Sequence, residues 1–203
     1  LTTGRDVNVL VLDTGVYSNT GGQASKATPR AAVAKFAASG KPSRKKDFGM
    51  LAVSYGNVYV AQIAMGSNPA QAVRAFREAE SYRGPSLILA YSHCIAHGIN
   101  MTTAMTHQKD VVQTGFWPLF RYDPRDAHAG EHPFHLDSRK PTKRFKDLAA
   151  QEGRFAMLAR TDPQHAEHLF ALAQQDIDDQ WHYYEQMAGF ERNISDQFEE
   201  TEA

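Results

Sequence analysis

Val7-Asn8-Val9-Leu10-Val11-Leu12 runs straight into Asp13-Thr14-Gly15-Val16-Tyr17-Ser18-Asn19-Thr20-Gly21-Gly22-Gln23. The first six residues are almost continuously apolar and rich in β-branched side chains. That is the pattern of a strand buried on both faces of a parallel sheet, and it predicts a central strand. The segment after it, Asp13 to Thr28, is dominated by Thr, Ser, Asn and Gly. It sits at the strand's carboxy end, where open α/β sheets bind ligands.

Working outward, Thr28-Pro29 reads as an N-cap and N1 pair opening a short helix over Ala31 to Ala38, stopped at Gly40. Lys41 to Lys46 is a basic connector, read either as a solvated linker or as a phosphate or partner patch. Asp47 caps a short helix over Phe48 to Tyr55, and a strand follows over Val58 to Ile63. Asn68-Pro69 opens a helix whose apolar positions Ala72, Val73, Phe76 and Ala79 recur at three- and four-residue spacing. Gly84-Pro85 ends it before a strand over Ser86 to Tyr91. The polar loop Ser92 to Asn100, a helix over Met101 to Gln113 and a strand over Phe116 to Tyr122 complete residues 1–125. Strands alternating with helices predict an α/β fold, a mostly parallel sheet flanked by helices.

The remainder, 126–203, differs in character. Asp123 to Lys143 is rich in Pro, His and charge, and reads as a linker or extended arm. Phe145 to Arg160 and Pro163 to Met187 have helical period, with Leu148, Phe155, Leu158, Leu169, Leu172, Ile177 and Trp181 as core positions. Asp162-Pro163 is the N-cap and N1 pair of the last helix, and Gly189 its stop. The acidic tail after Ser195 is expected to fray, and no internal repeat is present. This helical extension packs either on its own domain or on a partner subunit.

Composition excludes several classes. In 203 residues, 42% hydrophobic, 22 Lys and Arg oppose 23 Asp and Glu, so no global field attracts nucleic acid or an anionic membrane. No apolar run approaches the roughly 20 residues of a spanning helix. The start, Leu1-Thr2-Thr3-Gly4-Arg5-Asp6, has no secretory pattern and reads as a cut inside a longer chain. One cysteine, Cys94, excludes an intrachain disulfide and fits a reducing, cytoplasmic setting.

The loop concentrates oxygen donors. A hard cation such as Mg²⁺ takes hydroxyl, carbonyl, carboxylate and phosphate oxygens. The Thr14 hydroxyl and the Val16 carbonyl could reach one ion, while Gly21 and Gly22 let backbone N–H groups approach phosphate. The alternative is a Gly/Asn turn with no ligand. Cys94 lies in His93-Cys94-Ile95-Ala96-His97, at another strand's carboxy end. It reads as a small buried apolar residue or as a ligand, with a zinc site on His93, Cys94 and His97 lacking an evident fourth donor. His165 and His168 read as a solvated pair, and Trp117, Phe120 and Tyr122 as packing residues of an edge strand rather than a base-stacking platform.

The stretch from Leu10 to Pro29 resembles the second half of the thiamine-diphosphate motif of pyruvate:ferredoxin (flavodoxin) oxidoreductases. A second likeness runs from Met65-Gly66 through Gly84-Pro85-Ser86-Leu87 to Tyr91-Ser92-His93-Cys94-Ile95-Ala96-His97-Gly98. The resemblance covers about 4 to 125; beyond about 140 only helical character agrees. It implies part of a thiamine-diphosphate-binding fold. Thr14 and Val16 would be Mg²⁺ ligands, and Asn19 would lie beside the diphosphate and thiazolium. Cys94 would be one ligand of a [4Fe–4S] cluster whose other cysteines lie outside this chain. Gly15 departs from the larger, often acidic residue expected there, and the Gly-Asp-Gly half of the motif is absent.

The activity implied is oxidative decarboxylation of pyruvate to acetyl-coenzyme A and CO₂, with electrons passing to ferredoxin or flavodoxin in a homodimeric enzyme. No residue here is given a catalytic role, and the segment alone is expected to be inactive. The rivals are an enzyme for another 2-oxoacid and a non-catalytic α/β interaction domain.

Overall fold

The computed structural model describes Leu1 and residues 4–190; the expected frayed tail lies outside them. Five strands form one sheet: β1 (Val7–Asp13), β2 (Tyr59–Ile63), β3 (Pro85–Tyr91), β4 (Phe120–Tyr122) and β5 (Phe134–Leu136). Their order is β1-β3-β2-β4-β5. The first three are parallel, β4 runs antiparallel to β2, and β5 antiparallel to β4. Helices lie on both faces. Those before the last strand are α1 (Phe48–Val53), α2 (Pro69–Ser81), α3 (Ala104–Gln113) and α4 (Pro124–His128); α5 (Phe145–Ala149), α6 (Gly153–Thr161) and α7 (Pro163–Gly189) follow. The mostly parallel α/β reading holds.

Local chemistry explains the elements. Asp47 and Asn68 cap α1 and α2, their side chains accepting from Met50 N and Gln71 N, and Asp162 caps α7 by accepting from His165 N. One face of the sheet buries Val60, Leu87, Leu89 and Tyr91 against Ala52, Val111, Leu148 and Tyr184. The other buries Tyr59, Ala61, Ile63 and Ile88 against Ala72, Ala75 and Ala79 of α2.

Several expectations are corrected. β1 is an outer strand rather than a central one: it pairs with β3 alone, and Leu10 and Leu12 are 50% and 63% exposed. No helix spans Ala31 to Ala38. Ala31 and Phe36 take positive φ, and the amide groups bond elsewhere, Ala31 N to Lys41 O and Val33 N to Arg154 O. Val73 and Phe76 are exposed, because α2 turns Gln71, Ala72, Ala75 and Ala79 to the sheet. The strand expected over Phe116 to Tyr122 keeps only its last three residues, and β4 is not an edge, since β5 covers it. β5 and α4 arise from the stretch read as a linker, their prolines falling at an N1 position and just before the strand.

The helical extension packs on its own sheet. The helix expected over Phe145 to Arg160 is two helices, broken where Gly153 meets the backbone of Gly98. Phe145, Phe155, Leu158, Leu169 and Ile177 enclose Ala31 and Ala32 in a second core. Tyr184 Oη donates to Asp47, and Arg30 pairs with Asp176 at 2.6 Å. No described helix is long and apolar enough to cross a membrane.

Candidate functional site

β1 and β3 are parallel neighbours with Asp13 opposite Tyr91, so the two motif loops leave the sheet side by side at the strands' carboxy ends. Ser92 N donates to the Asp13 carbonyl at 3.0 Å and ties the exits together.

The first loop is a folded frame. Gly15 N donates to Asp13 Oδ1 at 2.9 Å, and the buried Thr28 hydroxyl donates to the Gly15 carbonyl at 2.5 Å. Tyr17 N reaches Gln23 O at 3.0 Å and Gly22 N reaches Tyr17 O at 3.0 Å, a closure that needs the positive φ of Gly21 and Gly22. Within this frame the Thr14 hydroxyl donates to the Val16 carbonyl oxygen at 3.0 Å. Adjacent oxygens of an octahedron with metal–oxygen bonds of ~2.1 Å are ~3.0 Å apart, so this pair has the spacing of two Mg²⁺ ligands. Asn19 is exposed on the outer turn of the same loop.

In the second loop Cys94 is 9% exposed and heads the 3₁₀ turn Ile95–His97, its Sγ accepting from Ala96 N at 3.4 Å. His97 is fully buried, and its Nε2 lies 2.7 Å from the Thr14 carbonyl oxygen. A carbonyl only accepts, so Nε2 carries the proton. Burial, with Arg154 adding to it, lowers the His97 pKa to about 4 and keeps the ring neutral. Among the described residues no three His, Cys, Asp or Glu side chains converge as a metal site, so the zinc alternative on His93, Cys94 and His97 gains no support.

Charges from distant parts of the chain brace the loops from below. Lys45 Nζ lies 2.6 Å from Asp13 Oδ2 and 2.8 Å from the Ala27 carbonyl, and burial lowers its pKa although Asp13 opposes this. Lys41 Nζ donates to the Thr28 carbonyl at 2.5 Å. The basic run is therefore partly turned inward onto the loop rather than wholly solvated. From the helical extension, Arg154 Nε donates to Glu152 at 2.5 Å, both side chains at most 3% exposed, and His107 Nε2 reaches the other Glu152 oxygen at 2.9 Å. Burial alone would raise the Glu152 pKa, but the Arg154 charge and the bonds from His107 and Arg154 outweigh it and hold the carboxyl at about 2. A Cβ on Gly15 would meet Arg154 Nη1 at 3.4 Å.

Thr14, Val16 and Cys94 lie on loops at the carboxy ends of neighbouring strands, as the sequence reading has them, while Lys45, Glu152 and Arg154 are not singled out by it. Lys45 meets Asp13 across 32 positions and His107 meets Glu152 across 45, while Glu152 and Arg154, two positions apart, match no motif. A cavity of about 820 Å³ opens between the Lys41 to Lys46 run and α7 and touches none of Thr14, Val16 and Cys94. The site is located by the loops, not by cavity size.

Residues 2–90 match the thiamine pyrophosphate enzyme C-terminal TPP binding domain. The chain is 60% identical over 188 residues to a putative pyruvate-flavodoxin oxidoreductase of Synechocystis and 55% identical over 188 residues to the pyruvate-flavodoxin oxidoreductase of Nostoc. It is 52% identical over 188 residues to the pyruvate:ferredoxin oxidoreductase of Moorella thermoacetica. Each alignment covers 93% of this chain and 16% of the relative, so the chain spans about a sixth of the length of these relatives. The resemblance is borne out and reaches well past residue 125, into the helical extension where the motifs alone showed only helical character.

Proposed function

We propose that this chain, similar over nearly its whole length to a segment of pyruvate-flavodoxin and pyruvate:ferredoxin oxidoreductases, is the carboxy-terminal cofactor-binding part of such an enzyme. Residues 1–125 are its partial thiamine-diphosphate-binding unit, and 126–203 the segment that braces it. The observation that carries this reading is the pair of oxygens on Thr14 and Val16, 3.0 Å apart in a hydrogen-bonded loop at the carboxy ends of parallel strands.

Thr14 and Val16 would hold Mg²⁺, which neutralises a diphosphate, with Asn19 facing the cofactor from the outer turn. Thiamine diphosphate, when bound, supplies the electron sink for decarboxylation of a 2-oxoacid, here pyruvate. Cys94 would give one thiolate to a [4Fe–4S] cluster; its sulfur, which among the described residues accepts from the Ala96 amide at 3.4 Å, is compatible with ligation, and three further thiolates would come from outside this chain. Coenzyme A would take the acyl group and ferredoxin or flavodoxin the electrons, in a cytoplasmic homodimer. The exposed apolar edge of β1 is the face on which the rest of the enzyme would complete the site.

In the full-length enzyme, Cys94→Ser should remove the electron-paramagnetic resonance signal of one reduced cluster and abolish pyruvate-dependent flavodoxin reduction. A full set of cluster signals in that variant contradicts the role given to Cys94. The 203-residue chain alone should not reduce a viologen dye with pyruvate, and detectable reduction would contradict its reading as one part of a larger site.

A further inference from the structure

We propose that His97 is a positioning residue: it donates from Nε2 to the Thr14 carbonyl and thereby fixes, from the cysteine turn, the peptide that presents the Thr14 hydroxyl toward Val16. This inference rests on the cofactor reading of Thr14 and Val16.

The peptide between Thr14 and Gly15 is held at both of its polar atoms. His97 takes its carbonyl at 2.7 Å, and Asp13 Oδ1 takes its N–H at 2.9 Å. With the plane fixed, Gly15 turns to φ +69°, and the next carbonyl is fixed in its turn by the Thr28 hydroxyl. The Val16 carbonyl is then set where it meets Thr14 Oγ1. Without His97 the Thr14 carbonyl loses the side-chain hydrogen bond that holds it, and a glycine at the next position adds little stiffness.

His97 is itself held firmly. Its amide donates to the Cys94 carbonyl at 3.0 Å, and Gly98 closes the turn at φ +67°. Gly153 N donates to the Gly98 carbonyl at 3.1 Å, so close that a Cβ on Gly98 would stand 2.8 Å from Gly153 Cα. Among the described residues Nδ1 is buried without a partner, so none of them offers the ring a second anchor to exchange for Thr14. The segment bearing Cys94 and the segment bearing Thr14 are thus joined through one imidazole.

The test uses the full-length enzyme and measures by calorimetry how much Mg²⁺ is needed for half-maximal thiamine diphosphate binding. His97→Gln keeps an amide donor at the Nε2 position; His97→Leu removes it, and His97→Asn is too short to reach Thr14. His97→Leu and His97→Asn should raise the Mg²⁺ requirement ~10-fold or more, the scale of lost outer-shell partners, while His97→Gln stays within ~3-fold of the parent. If His97→Leu does not fold, the comparison of His97→Asn with His97→Gln carries the test. Equal requirements in Asn and Gln variants, while Thr14→Ala weakens binding, overturn the His97 role alone. Binding unchanged in Thr14→Ala overturns the cofactor reading beneath it.

Discussion

The segment from Asp13 to Gly40 and the extension from Phe145 to Gly189 solve opposite problems. The extension is regular helix, with Phe155, Leu158, Leu169 and Ile177 buried at helical spacing and a capped start at Asp162. The segment at 13–40 has neither helix nor sheet strand after Asp13; its amides are met by isolated bridges and turns, and by Arg154 and Lys41 from outside. A site loop of this kind cannot shape itself. It takes its conformation from a scaffold that is regular enough to hold it, and here that scaffold is the extension together with the sheet ends.

The sharpest way to break this comparison is to unbalance the buried ion pair. Glu152→Ala or Arg154→Ala leaves a buried charge unpaired and should lower stability by ~3–5 kcal/mol in denaturant unfolding. Hydrogen exchange should quicken at residues 13–29 as well as in α6; exchange confined to α6 would mean that the loop does not depend on the extension. Acid probes the same groups. Glu152 is depressed to about 2 in the fold, so its contribution is present above the ordinary carboxylate range and is lost as pH falls toward 2. His97, depressed to about 4, stays neutral in the fold while the unfolded chain takes up its proton between the ordinary value and 4, so stability falls through that window. Both shifts act in one direction, so thermal midpoints should fall steadily from about pH 6.5 downward. A flat profile between pH 6 and 3 contradicts the assigned environments.

A smaller effect is expected at Gly40, which holds φ +79° with Leu158 Cδ2 2.8 Å from the position of a Cβ and Leu169 Cδ1 at 3.1 Å. Gly40→Ala should cost ~1–3 kcal/mol by forcing loop and extension apart, and a neutral result would show slack between them. Asp162→Ala removes only the α7 cap and should cost ~1 kcal/mol without altering exchange in the loop. Equal loop exchange in this variant and in Glu152→Ala would erase the distinction between bracing and ordinary helix stability.

Legibility in the sequence followed the same division. Helices with caps and period, such as α2 and α7, and the strands β2 and β3 were readable, because local pairing and a one-sided core dictate them. The apolar run of β1 predicted a strand but not its outer place, since strand order depends on partners. Ala31 to Ala38 has helical composition, yet Ala31 N bonds to Lys41 O and Val33 N to Arg154 O, tertiary bonds that override propensity. The places of Thr14, Val16 and Cys94 on loops at strand ends were legible because each follows an apolar strand directly, while the roles given to them rest on the resemblance. Lys45, Glu152 and Arg154 were not: Lys45 meets Asp13 across 32 positions and Glu152 meets His107 across 45, and the Glu152–Arg154 pair, though only two positions apart, is buried by the surrounding fold.

The most direct test of the central claim is titration of thiamine diphosphate into the full-length enzyme with and without Mg²⁺, comparing the parent with Thr14→Ala and Asn19→Ala. The expected result is binding that requires Mg²⁺ in the parent and weakens in both variants, with the Mg²⁺ dependence itself lost or blunted in Thr14→Ala. Parental binding in both variants would contradict the assignment and leave the loop a structural turn.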